Sequence, residues 1–352
     1  MIHQRRVSDF AVQEGPAHAG SRSRRDFLAH ASAVGAAALL GLPRIAAAAP
    51  PPETTTLRLV RTRSICQVPQ YVAKELLRGE GFTNVEYLER EGSVGNYEAL
   101  ASGEAQISMT FVTPLLTRID AGDPVVMLAG GHVGCFELYA TDRVRTIRDL
   151  KGKTVAVHEL GGTEHLFLAS MLAYVGLNPR DDVTWVTYSP RDSIRLLAEK
   201  KIDAFLPFPT VNYELREKKI GHVVVNSALD RPWSQYFCCM ISGNKEFVQK
   251  YPVATKRAVR AILKAADLCA SAPDRAAQLL VDGGFSNRAD YVRKLLREIP
   301  YGRWRDYQPE DTVRFYALRL HEVGMIKSSP QQIIAQGTDW RFLNELKKEL
   351  KA

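Results

Sequence analysis

The stretch Thr146-Ile147-Arg148-Asp149-Leu150-Lys151-Gly152-Lys153-Thr154-Val155-Ala156-Val157, continuing through His158-Glu159-Leu160 to Gly161-Gly162-Thr163, carries the reading of the fold. Its β-branched run predicts a strand over Thr154–His158. The glycine pair makes a turn, and apolar residues at helical spacing predict a helix over Thr163–Val175. Gly176 follows as its C-terminal stop. Working outward, Val183–Tyr188, Ser193–Lys200 and Ile202–Leu206 continue as strand, helix and strand. Val223–Val225 and Gln235–Ile241 read as two more strands.

Upstream the same rhythm has already run once. Strands over Leu57–Thr62, Val85–Glu89, Gln106–Phe111 and Val125–Ala129 alternate with helices over Pro69–Arg78, Asn96–Ala101 and Pro114–Ala121. Strand–helix alternation implies parallel sheets with crossover helices. From Lys245 onward the pattern is almost wholly helical, with Val253–Ala270, Pro273–Val281, Tyr291–Leu296, Asp311–Val323 and Trp340–Leu350 as the segments. The reading is an α/β fold in two units with a helical C-terminal tail.

Composition sets the broad class. The chain has 352 residues, 45% hydrophobic and 24% charged, which excludes wholesale disorder and a fibrous fold. The net charge of +8 is unevenly placed, with six Arg and three acids in residues 1–48. The remaining 41 basic and 36 acidic residues are interspersed, a solvated surface with no nucleic-acid track. Five cysteines (Cys66, Cys135, Cys238, Cys239 and Cys269) have neither disulfide-scaffold nor zinc-ligand spacing, so buried thiols are expected. No metal and no cofactor are called for. Ser-His-Asp order, a Walker loop and a dinucleotide G-x-G-x-x-G are all missing, and His158 and His165 lack helical metal-pair spacing.

Residues 1–48 read as an export signal. Arg24-Arg25 with Phe27-Leu28 resembles a twin-arginine signal, followed by an apolar run over Ala31–Leu42 and Ala46–Ala49. The expectation is cleavage near Ala48 or Ala49 and a periplasmic protein. An apolar run of about 12 residues is short of the ~20 that span a bilayer.

Several segments together resemble the periplasmic solute-binding proteins of ABC importers, nitrate/sulfonate/taurine branch, related to pyrimidine-precursor binders. Residues 146–157 are similar to that family's "S-I-x-D-L-K-G-K-x-V-A-V" stretch, and Gly161–Thr163 to its glycine turn. Pro69–Glu75 resembles its first helix, Glu98–Ile107 its "A-L-x-S-G-x-x-D" segment with Gln106 replacing the acid, and Ala198–Phe205 its "L-x-x-G-x-x-D-A" segment. Pro207-Phe208-Pro209 departs from a Trp-x-Pro pattern. The resemblance implies a two-lobed periplasmic-binding-protein (type II) fold, two mixed sheets with flanking helices. Lobe one would be 57–138 plus 235–352, and lobe two 139–234. It implies no catalysis, a monomer, a small-molecule ligand and a membrane permease as partners.

Ligand contacts are expected where strands end and helices begin, beside unpaired N–H groups. These are Gln67 after the first strand, Ser93 after the second, Thr113 after the third, the Gly161-Gly162-Thr163 turn, and Phe208 and Tyr236 as apolar walls. His132, Glu137 and His165 are titratable groups near the same region. A sulfonate, carboxylate or nitrate is the first expectation, and a pyrimidine or other heterocycle the alternative. The resemblance also reaches hydroxymethylpyrimidine synthases, which use pyridoxal phosphate with a Lys and a His near the first loop. Ile65–Tyr71 contains neither residue.

Overall fold

In the computed structural model β1 (Thr56–Arg61) leads into two short helices, α1 (Val68–Val72) and α2 (Lys74–Gly79), where the sequence predicts one. Then come β2 (Asn84–Glu89), α3 (Val94–Ala101), β3 (Ile107–Phe111), α4 (Val112–Asp120) and β4 (Val125–Val133). The chain continues through β5 (Glu137–Ala140), β6 (Lys153–Val157), α5 (Thr163–Tyr174), β7 (Val183–Thr187), α6 (Pro190–Ala198) and β8 (Ala204–Phe205). After α7 (Pro209–Glu217), β9 (His222–Asn226) and β10 (Phe237–Asn244), the rest is helical: α8 (Lys245–Lys250), α9 (Pro252–Ser271), α10 (Pro273–Asp282), α11 (Ala289–Glu298), α12 (Pro309–Glu322), α13 (Pro330–Gly337) and α14 (Arg341–Glu349). The structure describes residues 50–62, 64–90 and 94–350, so the export-signal reading and Ser93 lie outside the described residues.

Two sheet layers organise these elements, the first made of a two-stranded and a three-stranded sheet set side by side and the second of one five-stranded sheet. In the second, the order is β7-β6-β8-β5-β9, with β6 parallel to β7 and β8 and with β5 antiparallel to its neighbours. In the first, β1 and β2 pair in parallel while β10 runs antiparallel between β3 and β4. Gln106 joins the two halves: its N–H donates to the Arg58 carbonyl at 2.8 Å. Its side-chain oxygen accepts from the Arg58 N–H at 2.7 Å. Gln70 reinforces the junction, donating to the Val60 carbonyl at 3.1 Å and accepting from the Met109 N–H at 2.8 Å. The resulting sequence β2-β1-β3-β10-β4 matches the second sheet position for position. In each, the fourth strand is the antiparallel one, so both sheets are mixed where simple alternation suggests all-parallel pairing.

β5 and β10 are the strands that carry the chain from one sheet to the other. At the first passage Gly134 has φ of +49°, and a Cβ there would lie 2.2 Å from the Ala228 Cα. Only glycine fits this approach. The core beneath the first sheet is closed by α9 and α12 with Trp304, Tyr301 and Tyr316, all fully buried. Residues 50–352 pack as one unit. Among the described residues no helix is long and apolar enough to cross a membrane.

Candidate functional site

The ends of β3, β6 and β8 converge where the sheets meet. Thr163, 1% exposed, opens α5 after the turn in which Gly161 has φ of +75°. Gly162 caps the helix without a side chain, and the first helical bond is Leu166 N–H to the Gly162 carbonyl at 3.1 Å. The N–H groups of the first turn of α5, which precede that first intrahelical bond, and the helix dipole therefore present partial positive charge. Thr163 Oγ1 lies 3.4 Å from the Tyr97 hydroxyl of α3, a contact that bridges the elements of the two sheets. Tyr97 also approaches the Phe111 carbonyl at 3.5 Å. Thr113, fully buried in the first turn of α4, has a hydroxyl with no hydrogen-bond partner among the described residues.

Glu164 sits beside Thr163. Burial pushes its carboxyl up to about 8, opposed by its own backbone N–H and assisted by Glu159. One carboxyl oxygen has no partner among the described residues. Burial likewise pushes His165 down to about 4, and its Nδ1 accepts the Gly161 N–H at 3.0 Å. These directions favour the uncharged form of both groups at neutral pH, so neither Glu164 nor His165 adds charge at the helix end. The two shifts have opposite signs in stability. Folded His165 binds fewer protons than the unfolded chain between pH ~4 and ~6.5, so stability rises there. Folded Glu164 binds more protons between pH ~4.5 and ~8, so stability falls there. From pH 6.5 to 8 only the fall remains, at most about 1.4 kcal/mol per pH unit. Denaturant unfolding of Glu164→Gln across that window should show the fall removed. An unchanged slope would place the Glu164 carboxyl in the ordinary range.

An aromatic cluster lies alongside. Phe111 at the end of β3 contacts Phe136 at 5.4 Å and Phe208 at 5.8 Å, and Phe136 contacts Phe167 of α5 at 5.1 Å. Phe208 is the residue before α7, so Pro209 begins a helix where the sequence reading saw a strand-breaking wall.

Not every expected residue joins this constellation. Gln67 is buried, and its side-chain oxygen accepts from the Thr62 hydroxyl beside Tyr71. Tyr236 stacks on Phe315 of α12 at 4.0 Å and meets Tyr316, which in turn contacts Phe167 at 5.7 Å. The sequence reading did not name as contacts Tyr97, which the structure brings to Thr163, or Glu164, which stands next to it. Glu164 was visible as the acid after Thr163, but its protonation depends on burial that no spacing reveals. Glu137 is buried in a separate network. It accepts from Tyr139 at 2.8 Å, Asn226 at 2.9 Å and Arg216, and Arg216 also binds Glu298 at 3.0 Å. Glu137, Arg216, Asn226 and Glu298, with Cys135, Pro209 and Asn212, line a cavity of about 410 Å³ between the second sheet and α11.

The cysteines also gather. All five are free and buried. Cys135 and Cys238 bring their sulfurs to 3.0 Å, and Cys66 and Cys239 to 3.9 Å. Burial would push the Cys66 thiol up, but its neighbours Cys135, Cys239 and His132 hold it well below the ordinary value.

Comparison with known proteins places this geometry. The nitrate/nitrite binding protein NrtA of Nostoc sp. (strain PCC 7120) is 23% identical across 75% of this chain, which spans 66% of that relative's length. The crystal structure of the periplasmic nitrate-binding protein NrtA from Synechocystis PCC 6803 superposes with a TM-score of 0.69 at 17% identity, covering 86% of this chain and 90% of that one. The alkanesulfonate-binding protein SsuA from Xanthomonas axonopodis pv. citri, bound to MOPS, gives 0.60 at 17% identity, covering 76% and 94%. The fold is thus that of periplasmic binding proteins. The profile described as "NMT1/THI5 like" matches residues 68–276, and the chain belongs to that family.

Proposed function

We propose that the chain is a periplasmic solute receptor that captures a small anion, of the nitrate, sulfonate or carboxylate class, and hands it to an ABC importer. Residues 57–138 plus 235–352 form one lobe and 139–234 the other, and the monomer works by hinge closure with no chemical step. The observation that carries this reading is the start of α5. There Thr163, at a helix N-terminus and next to Glu164 whose carboxyl burial pushes up, meets Tyr97 of α3. Donors from both lobes around one point bind tightly only when the lobes are together, so an anion there favours the closed state. The similarity to nitrate/nitrite-binding and alkanesulfonate-binding proteins supports the same ligand class.

The test is thermal unfolding of the purified protein against nitrate, alkanesulfonates, aromatic carboxylates and pyrimidines. A ligand of the folded state at 100 times its Kd adds about 2.7 kcal/mol. The reading expects one anion class to raise the midpoint by several degrees. A shift with a pyrimidine alone would move the ligand to the heterocycle class, and a flat panel would remove the anion assignment.

A further inference from the structure

The sequence offers no metal-ligand spacing, yet three strand-end segments bring Cys66, His132 and Cys239 together in the interior. Their ligand atoms all lie within 4.8 Å of one another, and all three residues are fully buried. We propose that Cys66, His132 and Cys239 form a binding site for one thiophilic divalent cation of the zinc type, tying the loop after β1 to β4 and β10.

Geometry supports this at each ligand. Two thiolates about 2.3 Å from one metal at the tetrahedral angle stand about 3.8 Å apart. The Cys66 and Cys239 sulfurs are 3.9 Å apart. Cys239 and His132 face each other across the β10–β4 ladder, so the sheet itself fixes their separation. His132 Nδ1 lies 3.3 Å from the Val133 carbonyl, which can only accept. The proton is therefore on Nδ1, and Nε2 keeps its lone pair. Nε2 has no hydrogen-bond partner among the described residues. A ligating histidine held by a backbone carbonyl through its other nitrogen is the usual supporting arrangement around a bound metal.

Tyr301 holds the remaining wall, with its ring 5.2 Å from His132 and its hydroxyl donating to the Cys66 carbonyl at 3.0 Å. The donor set fixes the class of ion. Sulfur and imidazole suit zinc and copper over magnesium or calcium. Two thiolates with a neutral imidazole cancel a 2+ charge, and a fully buried site needs that cancellation. A monovalent ion would leave a net negative charge among apolar walls. The site is separate in its ligands from the Thr163 constellation, so its test does not depend on any solute being identified.

The experiment is titration of the reduced, purified protein with Co(II) and then Zn(II). The expected result is a thiolate-to-cobalt charge-transfer band that saturates at one ion per chain and is displaced by Zn(II). Cys66→Ser, Cys239→Ser and His132→Gln should each weaken binding by more than the roughly 10–100-fold that losing a supporting group costs. Cys269→Ser, in α9 and outside the cluster, should leave it unchanged. Circular dichroism of each variant separates lost binding from lost folding. A well-folded reduced protein without the band would overturn the site, as would a band that survives in both Cys66→Ser and Cys239→Ser. Peptide mapping of the unreduced protein that finds Cys66 bonded to Cys239 would also overturn it.

Discussion

Replacing Arg216 with Met is expected to cost about 3 kcal/mol, the low end of the roughly 3–5 that breaking a buried ion pair costs. Glu137 is 3% exposed and accepts from Arg216, Asn226 and Tyr139. Removing the guanidinium leaves a carboxylate in the interior with two neutral donors, which soften the penalty without matching its charge. Arg216 itself is partly exposed and retains water on one side, which keeps the effect at the lower end. The unfolding midpoint should fall by roughly 6–12 °C. The double variant Glu137→Gln with Arg216→Met should recover much of the loss, because no buried charge then remains. A single-variant loss below about 1 kcal/mol would mean that Glu137 escapes to solvent or takes a proton at little cost. The network holds β5 and β9 of the second sheet to α7 and α11, so its loss should be felt in both.

Much of this architecture is legible in the residues. Strands at Val85–Glu89, Val183–Tyr188 and Gln106–Phe111 and the long helix over Val253–Ala270 declare themselves by period, and the structure has each within a few residues. What periodicity hides is pairing. Nothing in the run Phe237–Asn244 says that it inserts antiparallel between β3 and β4, because a fully buried strand is apolar on both faces whichever way it runs. β5 was missed for a related reason: Glu137 and Tyr139 alternate with apolar Leu138 and Ala140 over only four residues, too short to register. α7 was hidden by Pro209, which reads as a breaker and acts as a first-turn residue.

The site divides along the same line. The Gly161-Gly162-Thr163 turn is local, so its glycine at positive φ and its helix-opening threonine follow from the sequence. Tyr97, Cys66, His132 and Cys239 reach their places through contacts tens to hundreds of residues apart, which single-chain spacing does not encode. Tyr236 too is positioned by a contact distant in sequence. It adjoins the second passage between sheets, but the ring finds a flatter partner in Phe315 and turns onto α12.

Thr163→Val is the change expected to matter most for binding. It keeps the β-branched shape and volume at a buried helix start while removing the Thr163 hydroxyl. A hydrogen bond to a charged partner contributes about 1.5–3 kcal/mol, so affinity for the anion should fall by roughly 10–150-fold. Folding should change little, since Thr163 contributes no side-chain cap and Tyr97 retains the Phe111 carbonyl. Wild-type affinity should itself weaken as pH rises through about 8, when Glu164 gains charge beside the bound anion. Glu164→Gln should flatten that dependence.

Calorimetric titration of the wild type and Thr163→Val with nitrate and with short alkanesulfonates tests the receptor reading most directly. The account predicts saturable binding at one site per chain to one of these anions in the wild type, reduced at least about tenfold in a well-folded Thr163→Val. Equal affinity in both proteins, or no anion binding to folded wild type, would contradict it.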